Sequence, residues 1–395
     1  MIPTTPEILA ALPWIVFAVV VPILLRRQSP IDRYPPPTPE EAPMVSVIVP
    51  MRNEAENITT CMSTLLATKY PRWEIIIVDD DSVDGTADIA RAIAEGSRGT
   101  VIFVAGKPLP PGWLGKSWAC WQGYQMASGD VLLFTDADTR HNEALLGHAV
   151  GALMAEKADL ATVLPRQLME SPWERIVLPH IFVTIMLRFH DVAKLSRTRN
   201  PRAVIANGQF MLFTREGYLA VGGHESVRDT VVEDLRLAQR VVEEDRRLLA
   251  AHAENLMETR MYRSLRGIIE GWSKNVALGS REAVPRWFAP YAAWILGILE
   301  LCFWVVPPAV LLASLFGDVG EFLAGWSLTA SVVSYIFWLA IALQFRIPTL
   351  TALFYPVGGL VTTGIFLRSA IRGERVQWRG REYRGDRRAE ETTGV

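Results

Sequence analysis

The sequence is poor in cysteine and in net charge. Its 395 residues include only three cysteines, Cys61, Cys120 and Cys302, and the formal net charge is −2 at pH 7. The cysteines are far apart and none has a histidine at the spacing of a zinc ligand, so we expect neither a disulfide framework nor a structural zinc site. A balanced charge offers no basic surface to nucleic acid, and we predict that the protein binds none. A reducing compartment fits the scarcity of cysteine.

Apolar residues, by contrast, are in excess. If glycine is counted and tyrosine left out, about 55% of the chain is apolar, compared with roughly 45–50% in soluble domains. This content excludes an intrinsically disordered protein. It also argues against a wholly soluble one, because the excess has to be buried away from water. The length allows one large domain or two or three smaller ones.

The first apolar run lies near the N-terminus. Residues Ile8 to Leu25 carry no charge and end at Arg26 and Arg27, and at about 1.5 Å per residue they are long enough to cross a bilayer. A cleaved signal peptide is the alternative. Because no basic segment precedes the run and no small-residue cleavage site follows it, we favour an uncleaved transmembrane anchor over residues 1–26.

Two segments of different composition follow this anchor. Residues 27–43 are rich in proline and include Pro35-Pro36-Pro37. Such a segment continues neither a helix nor a central strand, so we predict a stiff linker leading away from the membrane. Residues 44–286 have the composition of an ordinary soluble domain. We therefore expect one large folded domain in this central region.

Three more apolar runs follow the central region, and each is long enough to span a membrane. They are Tyr291 to Phe316, Leu323 to Leu343 and Leu350 to Leu367. Tryptophans beside and within them are typical of membrane segments and their interfaces. Residues 287–367 are therefore predicted to form transmembrane or re-entrant helices, followed by a basic tail over residues 368–395.

Charge bias predicts the orientation of these segments. Arg26 and Arg27 directly follow the first run, which places the central region in the cytoplasm. The tail has eight arginines and five acidic residues, which also favours a cytoplasmic C-terminus. Three full crossings would leave that terminus outside, so one run is expected to be re-entrant or interfacial. The first, with Pro307-Pro308, and the third, with Pro356, are equal candidates.

Short apolar strands alternate with helical patterns in the central region. The predicted strands are Val45 to Val49, Ile75 to Val78, Val101 to Val104 and Val131 to Phe134. This alternation predicts an α/β fold with a mostly parallel sheet and flanking helices. Ligands of such sheets bind beyond the carboxyl ends of the strands, and the polar clusters of this sequence begin there.

Three of these clusters follow predicted strands. They are Pro50-Met51-Arg52-Asn53-Glu54, the acidic run Asp79 to Asp84, and Asp136-Ala137-Asp138. Each has a plain explanation as a solvated turn, with Asn53 as a helix N-cap. Three consecutive aspartates repel one another, however, and a carboxylate in this place can accept hydrogen bonds from a nucleotide base and ribose. Carboxylates two residues apart at a strand end point the same way and can share a divalent cation that also holds phosphate oxygens.

Glu233 and Asp234 form a fourth cluster, directly before the apolar face of a predicted helix. Carboxylates in the first turn of a helix stabilise its dipole, which is the plain explanation. The functional alternative is a general base presented at a helix start.

The fifth cluster is the segment from Pro110 to Gly123, which contains Gly115-Lys116-Ser117. Proline stands where a P-loop requires its first glycine, so we reject a P-loop. Lys116 can still reach a diphosphate. Trp113 and Trp118, with a third tryptophan at 121, suit either a packed core or a surface that faces the membrane or a sugar.

In this order the five clusters resemble the family 2 glycosyltransferases with the GT-A fold, over roughly Val45 to Lys274. The resemblance implies a role for each matching residue. Pro50, Arg52 and Glu54 match the first nucleotide-contacting segment, and Asp80 matches the uracil-contacting aspartate. Asp136 and Asp138 match the metal-binding pair. Asp234 matches the catalytic base of the motif that includes Glu233, and Asn207-Gly208-Gln209 matches the acceptor-side segment. Lys116 is expected on the nucleotide side, and Trp113 and Trp118 on the acceptor side.

Within that family, the Pro110 to Ala119 stretch and the late segment Trp378 to Tyr383 look most like the hopene-associated branch and its relatives that glycosylate carotenoids or ceramide. Two departures stand out. Asp81 occupies a position where many members have glycine, and no Gln-x-x-Arg-Trp motif follows Asp234. The missing motif argues against a processive polysaccharide synthase.

The resemblance implies an inverting displacement at the anomeric carbon of a nucleotide-sugar, expected to be a UDP-sugar. Mg²⁺ or Mn²⁺ on the aspartate pair would neutralise the departing diphosphate, and Asp234 would take the proton of the acceptor hydroxyl. The run Ile176 to Leu187 is too short to span. It is either a core helix or a segment resting on the bilayer and admitting a lipid.

We therefore expect a multi-pass glycosyltransferase of the cell membrane, with a cytoplasmic catalytic domain, a nucleotide-sugar donor and a lipid hydroxyl acceptor. A hopanoid or related isoprenoid is the favoured lipid. A carotenoid, ceramide or polyprenyl phosphate acceptor is the alternative, and a non-catalytic membrane scaffold is the alternative from another class.

Overall fold

The computed structural model describes residues 3–25, 29–97, 99–189, 191–285, 287–372, 375–378 and 381–384. Its internal contacts divide the chain into two compact units. The sheet unit consists of Gln28–Leu168, Val192–Met261 and Glu374–Val395, and the helical unit consists of Met1–Arg27, Met169–Asp191 and Tyr262–Gly373.

The described residues form fifteen α-helices and twelve β-strands. The helices are α1 (Thr5–Ala10), α2 (Leu12–Leu25), α3 (Ile58–Leu66), α4 (Thr86–Gly96), α5 (Gly115–Met126), α6 (Leu145–Ala155), α7 (Pro172–Arg188), α8 (Val192–Leu195), α9 (Arg215–Ala220), α10 (Glu233–Glu243), α11 (Leu265–Ala283), α12 (Ala289–Glu300), α13 (Val306–Ala313), α14 (Glu321–Gln344) and α15 (Tyr355–Arg372). The strands are β1 (Val45–Met51), β2 (Trp73–Asp79), β3 (Val101–Ala105), β4 (Val131–Phe134), β5 (Thr139–His141), β6 (Leu160–Leu164), β7 (Arg166–Gln167), β8 (Met211–Thr214), β9 (Leu248–His252), β10 (Met257–Thr259), β11 (Arg375–Trp378) and β12 (Arg381–Arg384).

The sheet unit is built on a seven-stranded sheet with the order β3-β2-β1-β4-β8-β6-β9. β8 runs antiparallel to both of its neighbours, and the other pairs are parallel. A small second sheet has the order β5-β10-β7, and β11 pairs with β12. The predicted α/β fold with a mostly parallel sheet and flanking helices is therefore confirmed, and all four predicted strands are present.

The central strands are buried on both faces. Val47, Ile48 and Val49 of β1 and the run Ile75–Val78 of β2 are at most 2% exposed. Such β-branched runs suit parallel strands that are covered by helices on both sides. One face packs against α3 and α6, and the other packs against α5 and α10.

Pro50 lies inside β1, although the sequence analysis placed it just after the strand. The pairing of β1 with β4 ends at Ile48, whereas its pairing with β2 continues to Met51. Proline lacks an amide hydrogen, and it is tolerated at this position because the strand has a neighbour on only one side. Asp79 is likewise the last residue of β2 rather than part of the following turn.

Among the described residues of the helical unit, three helical segments are long and apolar enough to cross a membrane: Ala289–Ala313, Glu321–Gln344 and Thr349–Ile371. The first joins α12 to α13 through a π-helical turn at Leu301–Val305. Pro307-Pro308 stand at the start of α13, where a missing amide hydrogen costs little. The helical segment continues through these prolines, and which of the two runs is re-entrant or interfacial stays a prediction.

The N-terminal apolar run is divided into two helices. α1 and α2 are separated at Ala11. The 14 residues of α2 span about 21 Å, which is shorter than the roughly 30 Å of a hydrocarbon core. Arg26 and Arg27, which end the predicted anchor, lie outside the described residues, as do Arg379 and residues 385–395 of the tail.

The core of the helical unit is aromatic. The rings of Trp304 and Phe337 stack at 5.2 Å, and the ring of His180 stacks on Trp338 at 3.7 Å. The Nδ1 atom of His180 is hydrogen-bonded to the carboxylate of Glu300, and both side chains are buried. Ionisable groups inside an apolar bundle require such a partner, since an isolated buried charge is very costly.

The proline-rich segment packs against the sheet unit instead of forming a free linker. Ile31 is buried, and the Nδ1 atom of His148 in α6 lies 2.7 Å from the carbonyl oxygen of Tyr34. Pro35 and Pro36 lie directly over two glycines of α6, at positions 147 and 151. The stiff proline-rich segment predicted from the sequence therefore packs closely on α6.

Gly151 gives the sharpest test of this packing. A Cβ atom on Gly151 would lie 2.0 Å from the carbonyl oxygen of Pro35, which is backbone and cannot rotate away. We expect Gly151→Ala to lower the free energy of unfolding by about 2 kcal/mol, as overpacking does. Gly96→Ala is the control, because a Cβ at this helical position meets nothing within 4 Å. Thermal unfolding of the full-length protein in detergent measures both, and equal stabilities would contradict the packing.

Candidate active site

The carboxyl ends of β1 and β2 bring Arg52 and Asp80 together. Asp80 is buried, and its backbone N–H donates to the carbonyl of Met51 at 2.8 Å. The guanidinium of Arg52 donates to the backbone carbonyl of Asp80 and lies 3.8 Å from its carboxylate. The neighbouring Asp81 has a φ of 58° and is exposed. This left-handed conformation favours glycine but is tolerated by aspartate.

The loop after β1 is tied to the loop after β2 by hydrogen bonds. The N–H of Asn53 donates to Ser82 Oγ at 3.0 Å, and the N–H of Val83 donates back to Asn53 Oδ1 at 2.9 Å. The N–H of Glu54 donates to Thr86 Oγ1 at 2.8 Å. Asn53 therefore joins the two loops through its backbone and its side chain. It is not the N-cap of α3, because the residue that precedes this helix is Asn57.

A buried hydrogen-bond network holds the turn that carries Asp136 and Asp138. His141 Nε2 lies 3.1 Å from Thr135 Oγ1 and 3.0 Å from Thr139 Oγ1. The hydroxyl of Thr139 also lies 2.7 Å from the backbone carbonyl of Asp136 and can donate to it. Burial lowers the pKa of His141 to about 4, so the ring is neutral at pH 7. The sequence analysis missed this network, whose only local signal is the alternation of Thr135, Thr139 and His141 around the aspartates.

Lys116 joins the turn after β4 to the start of α10. Its Nζ atom lies 2.9 Å from Asp136 Oδ1 and 2.9 Å from Glu233 Oε1. The start of α5, which carries Lys116, is fixed by a hydrogen bond from the N–H of Leu114 to the carbonyl of Arg228 at 2.7 Å. Burial by itself would lower the pKa of Lys116, but the surrounding carboxylates outweigh it and hold the pKa well above its usual value. Lys116 is therefore protonated at pH 7 in this arrangement.

The two carboxylates that begin α10 have different properties. Burial would raise the pKa of Glu233, but the charge of Lys116 outweighs it and lowers this pKa below its usual value. Burial and the charge of Glu233 raise the pKa of Asp234 to about 6, although Lys116 opposes this. Asp234 is thus mostly ionised at pH 7, and its pKa is close enough to this pH for the carboxylate to accept a proton, as a general base does.

The segment Asn207-Gly208-Gln209 contacts Asp234 through its backbone. The N–H of Gly208 donates to Asp234 Oδ2 at 2.8 Å. A Cβ atom on Gly208 would lie 3.1 Å from both Asp234 Oδ2 and Lys116 Nζ, so glycine leaves room for the two charged groups. Gln209 is buried, and its side-chain amide donates to Thr259 Oγ1 at 2.8 Å. Its side chain is therefore directed into the protein and holds the segment in place, whereas Gln209 was predicted on the acceptor side.

Trp113, Trp118 and Trp121 pack on one another at the start of α5. The ring of Trp113 lies 5.0 Å from that of Trp118 and 6.1 Å from that of Trp121. The indole N–H of Trp118 donates to the carbonyl of Lys107 at 3.0 Å. All three are half-buried, so the cluster combines packing with an accessible edge.

The aspartate pair fits a divalent cation that is shared with a substrate. Asp136 and Asp138 supply the oxygen ligands that Mg²⁺ and Mn²⁺ prefer. Within the described ranges, however, no group of three or more carboxylate, imidazole or thiolate side chains lies close enough to hold a metal ion. Mg²⁺ is commonly bound by one or two carboxylates together with substrate phosphates. The two aspartates suit a metal ion whose remaining ligands come from substrate phosphates, rather than one that the protein alone surrounds.

Comparison with known proteins finds similarity to glycosyltransferases. Residues 46–218 match the family model of glycosyl transferase family 2. The match agrees with the predicted family and includes every cluster except Glu233-Asp234. The 4,4'-diaponeurosporenoate glycosyltransferase of Staphylococcus haemolyticus (strain JCSC1435) is 26% identical over 266 residues, which cover 66% of this chain and 68% of the relative. The enzyme of the same name from Staphylococcus aureus (strain MRSA252) is 25% identical over 353 residues, covering 86% and 88%.

A solved structure shows the same fold. The mannosyltransferase PcManGT from Pyrobaculum calidifontis, solved in complex with GDP-Man and Mn²⁺, has a TM-score of 0.55 at 19% identity. The similarity covers 93% of this chain and 98% of that one. At this identity the likeness establishes the fold alone.

The threonine network below the aspartates can be tested by removing one hydroxyl. Thr135 Oγ1 donates to the carbonyl of Gln209 at 2.7 Å and also faces His141 Nε2. We expect Thr135→Val to lower the free energy of unfolding by about 1–3 kcal/mol, because buried polar groups lose their partner. Thr59→Val, at an exposed position of α3, should change it by less than about 0.5 kcal/mol. Unfolding in guanidinium measures both, and matching midpoints would rule out a stabilising network.

Proposed function

We propose that this chain, which belongs to glycosyl transferase family 2 and is a membrane-associated glycosyltransferase, transfers a sugar from a nucleotide-sugar to an isoprenoid lipid. The observation that carries the proposal is the chain of contacts from Asp136 through Lys116 to Glu233, beside Asp234 on the Gly208 amide. It brings a pair of aspartates suited to a donor diphosphate and a carboxylate suited to an acceptor proton into one site.

The donor side is proposed to lie at the carboxyl ends of β1, β2 and β4. Pro50, Arg52, Glu54 and Asp80 are assigned to the nucleotide, and a UDP-sugar is the proposed donor. The support is the clamp between Arg52 and Asp80, which leaves the ends of two neighbouring strands rigid. Asp136 and Asp138 would hold Mg²⁺ or Mn²⁺, whose charge neutralises the diphosphate leaving group.

The transfer itself is proposed to be a single displacement with inversion. The acceptor oxygen forms a bond to the anomeric carbon while the bond from that carbon to the diphosphate oxygen breaks. With a hydroxyl acceptor, Asp234 receives the hydroxyl proton, and the nucleoside diphosphate leaves with its electron pair. Lys116 is placed to offer positive charge to the diphosphate as the charge develops.

The acceptor is proposed to be a carotenoid-type isoprenoid. Two facts support a lipid: the three long apolar helices of the helical unit, and the names of relatives that align with up to 88% of their length. Those names give a carotenoid carboxylate as the substrate of the relatives. A hopanoid hydroxyl is the second lipid of the same class. We further propose that the helices lie in the cell membrane and that the sheet unit faces the cytoplasm, on the charge bias around Arg26 and Arg27.

A donor and acceptor panel tests this function. Full-length protein in lipid nanodiscs is incubated with UDP- and GDP-sugars and with four acceptors: a carotenoid carboxylate, a carotenoid or hopanoid alcohol, ceramide and polyprenyl phosphate. We expect mass spectrometry to show a glycosylated isoprenoid that requires divalent metal and is lost in Asp138→Ala. Asp88→Ala, which removes an exposed carboxylate elsewhere, is the matched control. Tight UDP binding without transfer from any donor would instead favour a scaffold.

The role of Asp234 predicts a pH profile. With a hydroxyl acceptor the base has to be ionised, so kcat/KM should rise with pH through about 6, the pKa of Asp234, and level off above it. In Asp234→Asn, the rise of kcat/KM with pH should be absent, and the rate should be about 100- to 10,000-fold lower. Asp229→Asn, at an exposed position before α10, should keep both.

The same variant distinguishes the acceptor classes. A carboxylate or phosphate acceptor is already ionised and needs no base, so Asp234→Asn would retain most of the activity with it. A carboxylate acceptor gives an ester that mild alkali cleaves, whereas a hydroxyl acceptor gives an alkali-stable glycoside. An alkali-stable product formed at full rate by Asp234→Asn would contradict the assignment of Asp234 as the base.

A further inference from the structure

Lys116 places its ammonium group among the carboxylates of the site. Its Nζ atom lies 2.9 Å from carboxylate oxygens on both sides, Asp136 and Glu233, and its side chain is 24% exposed. The oxygen of Asp136 that it holds belongs to the pair assigned to the divalent metal ion. In the donor-free protein, therefore, one of the two metal-binding carboxylates is already neutralised from within the chain.

A free divalent metal ion meets two obstacles at this site. It would have to bind beside a permanent ammonium group, and like charges repel strongly where the site is partly shielded from water. It would also find few ligands, because among the residues that the structure describes no group of three or more metal-binding side chains has formed. Both obstacles disappear when a diphosphate arrives, since it supplies oxygen ligands and negative charge.

The lysine side chain can respond to the diphosphate. Its ammonium group is a point charge on a flexible four-carbon stem, and α5 holds only its backbone. Gly208 leaves space beside Nζ, because any larger residue would place a Cβ 3.1 Å from it. A diphosphate can therefore attract Lys116 away from Asp136 without a change in the fold.

We propose that Lys116 is an internal cation that excludes free divalent metal from the donor-free site, so that the metal ion enters only together with the diphosphate that draws Lys116 from Asp136. This inference rests on the proposed function and adds an order of binding to it. Lys116 acts here as a positioning residue, and its effect appears in metal affinity without any turnover.

Binding of Mn²⁺ to full-length protein in detergent, followed by the electron paramagnetic resonance of free Mn²⁺, tests the proposal. In the wild type we expect Mn²⁺ to bind at least about tenfold more tightly with UDP than without it, within the usual range of coupling between two ligands. In Lys116→Met we expect donor-free Mn²⁺ binding to strengthen about tenfold. Lys116→Met/Asp138→Ala should lose that gain, which places the ion on the aspartate pair.

Three controls make the outcome specific. Lys116→Arg keeps the charge and should exclude Mn²⁺ as the wild type does. Lys107→Met removes an exposed lysine shortly before α5 and should leave Mn²⁺ binding unchanged. Lys116→Gln repeats the test if the methionine variant fails to fold, as judged by circular dichroism.

Two results would overturn the inference: donor-free Mn²⁺ binding that is the same in Lys116→Met and wild type, or wild-type binding that is equally tight with and without UDP. Failure of the proposed function looks different. If no nucleotide binds, that function is wrong, whereas the donor-free comparison of wild type with Lys116→Met still decides the role of the lysine.

Discussion

The ammonium group of Lys116, held between Asp136 and Glu233, is the interaction on which the rest of the site depends. The carboxylates of Asp136, Glu233 and Asp234 converge here from two separate parts of the chain. Without a cation, their mutual repulsion and desolvation would oppose folding. The fold supplies that cation from the second residue of α5. The turn after β4 and the start of α10 then bring Asp136 and Glu233 to one lysine, each with a carboxylate oxygen 2.9 Å from Nζ. In the proposed function, the same lysine links Asp136, which is assigned to the donor, with the start of α10, whose Asp234 is assigned to the acceptor proton.

Much of the architecture could be predicted because it follows from local apolar patterns. The β-branched runs at Ile75–Val78 and Val47–Val49 have to be buried, and only a sheet covered by helices on both faces buries them fully. The roles of the clusters were inferred from their order rather than from any single motif. Strand ends were placed less well, since the extension of β1 through Pro50 depends on where its neighbour β4 stops, which no local pattern records.

The features that the sequence did not predict are contacts between distant segments. Thr135 donates to Gln209, which is 74 residues away, and Gln209 donates to Thr259, another 50 residues along. Hydroxyls and amides of this kind are common on surfaces, so their burial becomes apparent only with the fold. The packing of Pro35 on Gly151 had a visible signal, two glycines four residues apart in an apolar helix. Its partner was nevertheless beyond the reach of a local pattern. The division of the N-terminal run at Ala11 did have a local signal, because Pro13 lacks the amide hydrogen that a continuous helix requires and stands in the first turn of α2.

The charge of the acceptor also bears on Lys116. A hydroxyl acceptor adds no charge, so it places no further demand on Lys116, although moving Lys116 away would raise the pKa of Asp234. A carboxylate acceptor would meet the like charge of Asp234, whose pKa of about 6 leaves it mostly ionised at pH 7. Such an acceptor is compatible with the site when Asp234 keeps its proton. It is also compatible when Lys116 stays between the carboxylate of Asp234 and that of the acceptor. In the second case the lysine is withheld from the diphosphate. In the proposed function, the charge of the acceptor and the binding of the donor diphosphate are therefore coupled through Lys116.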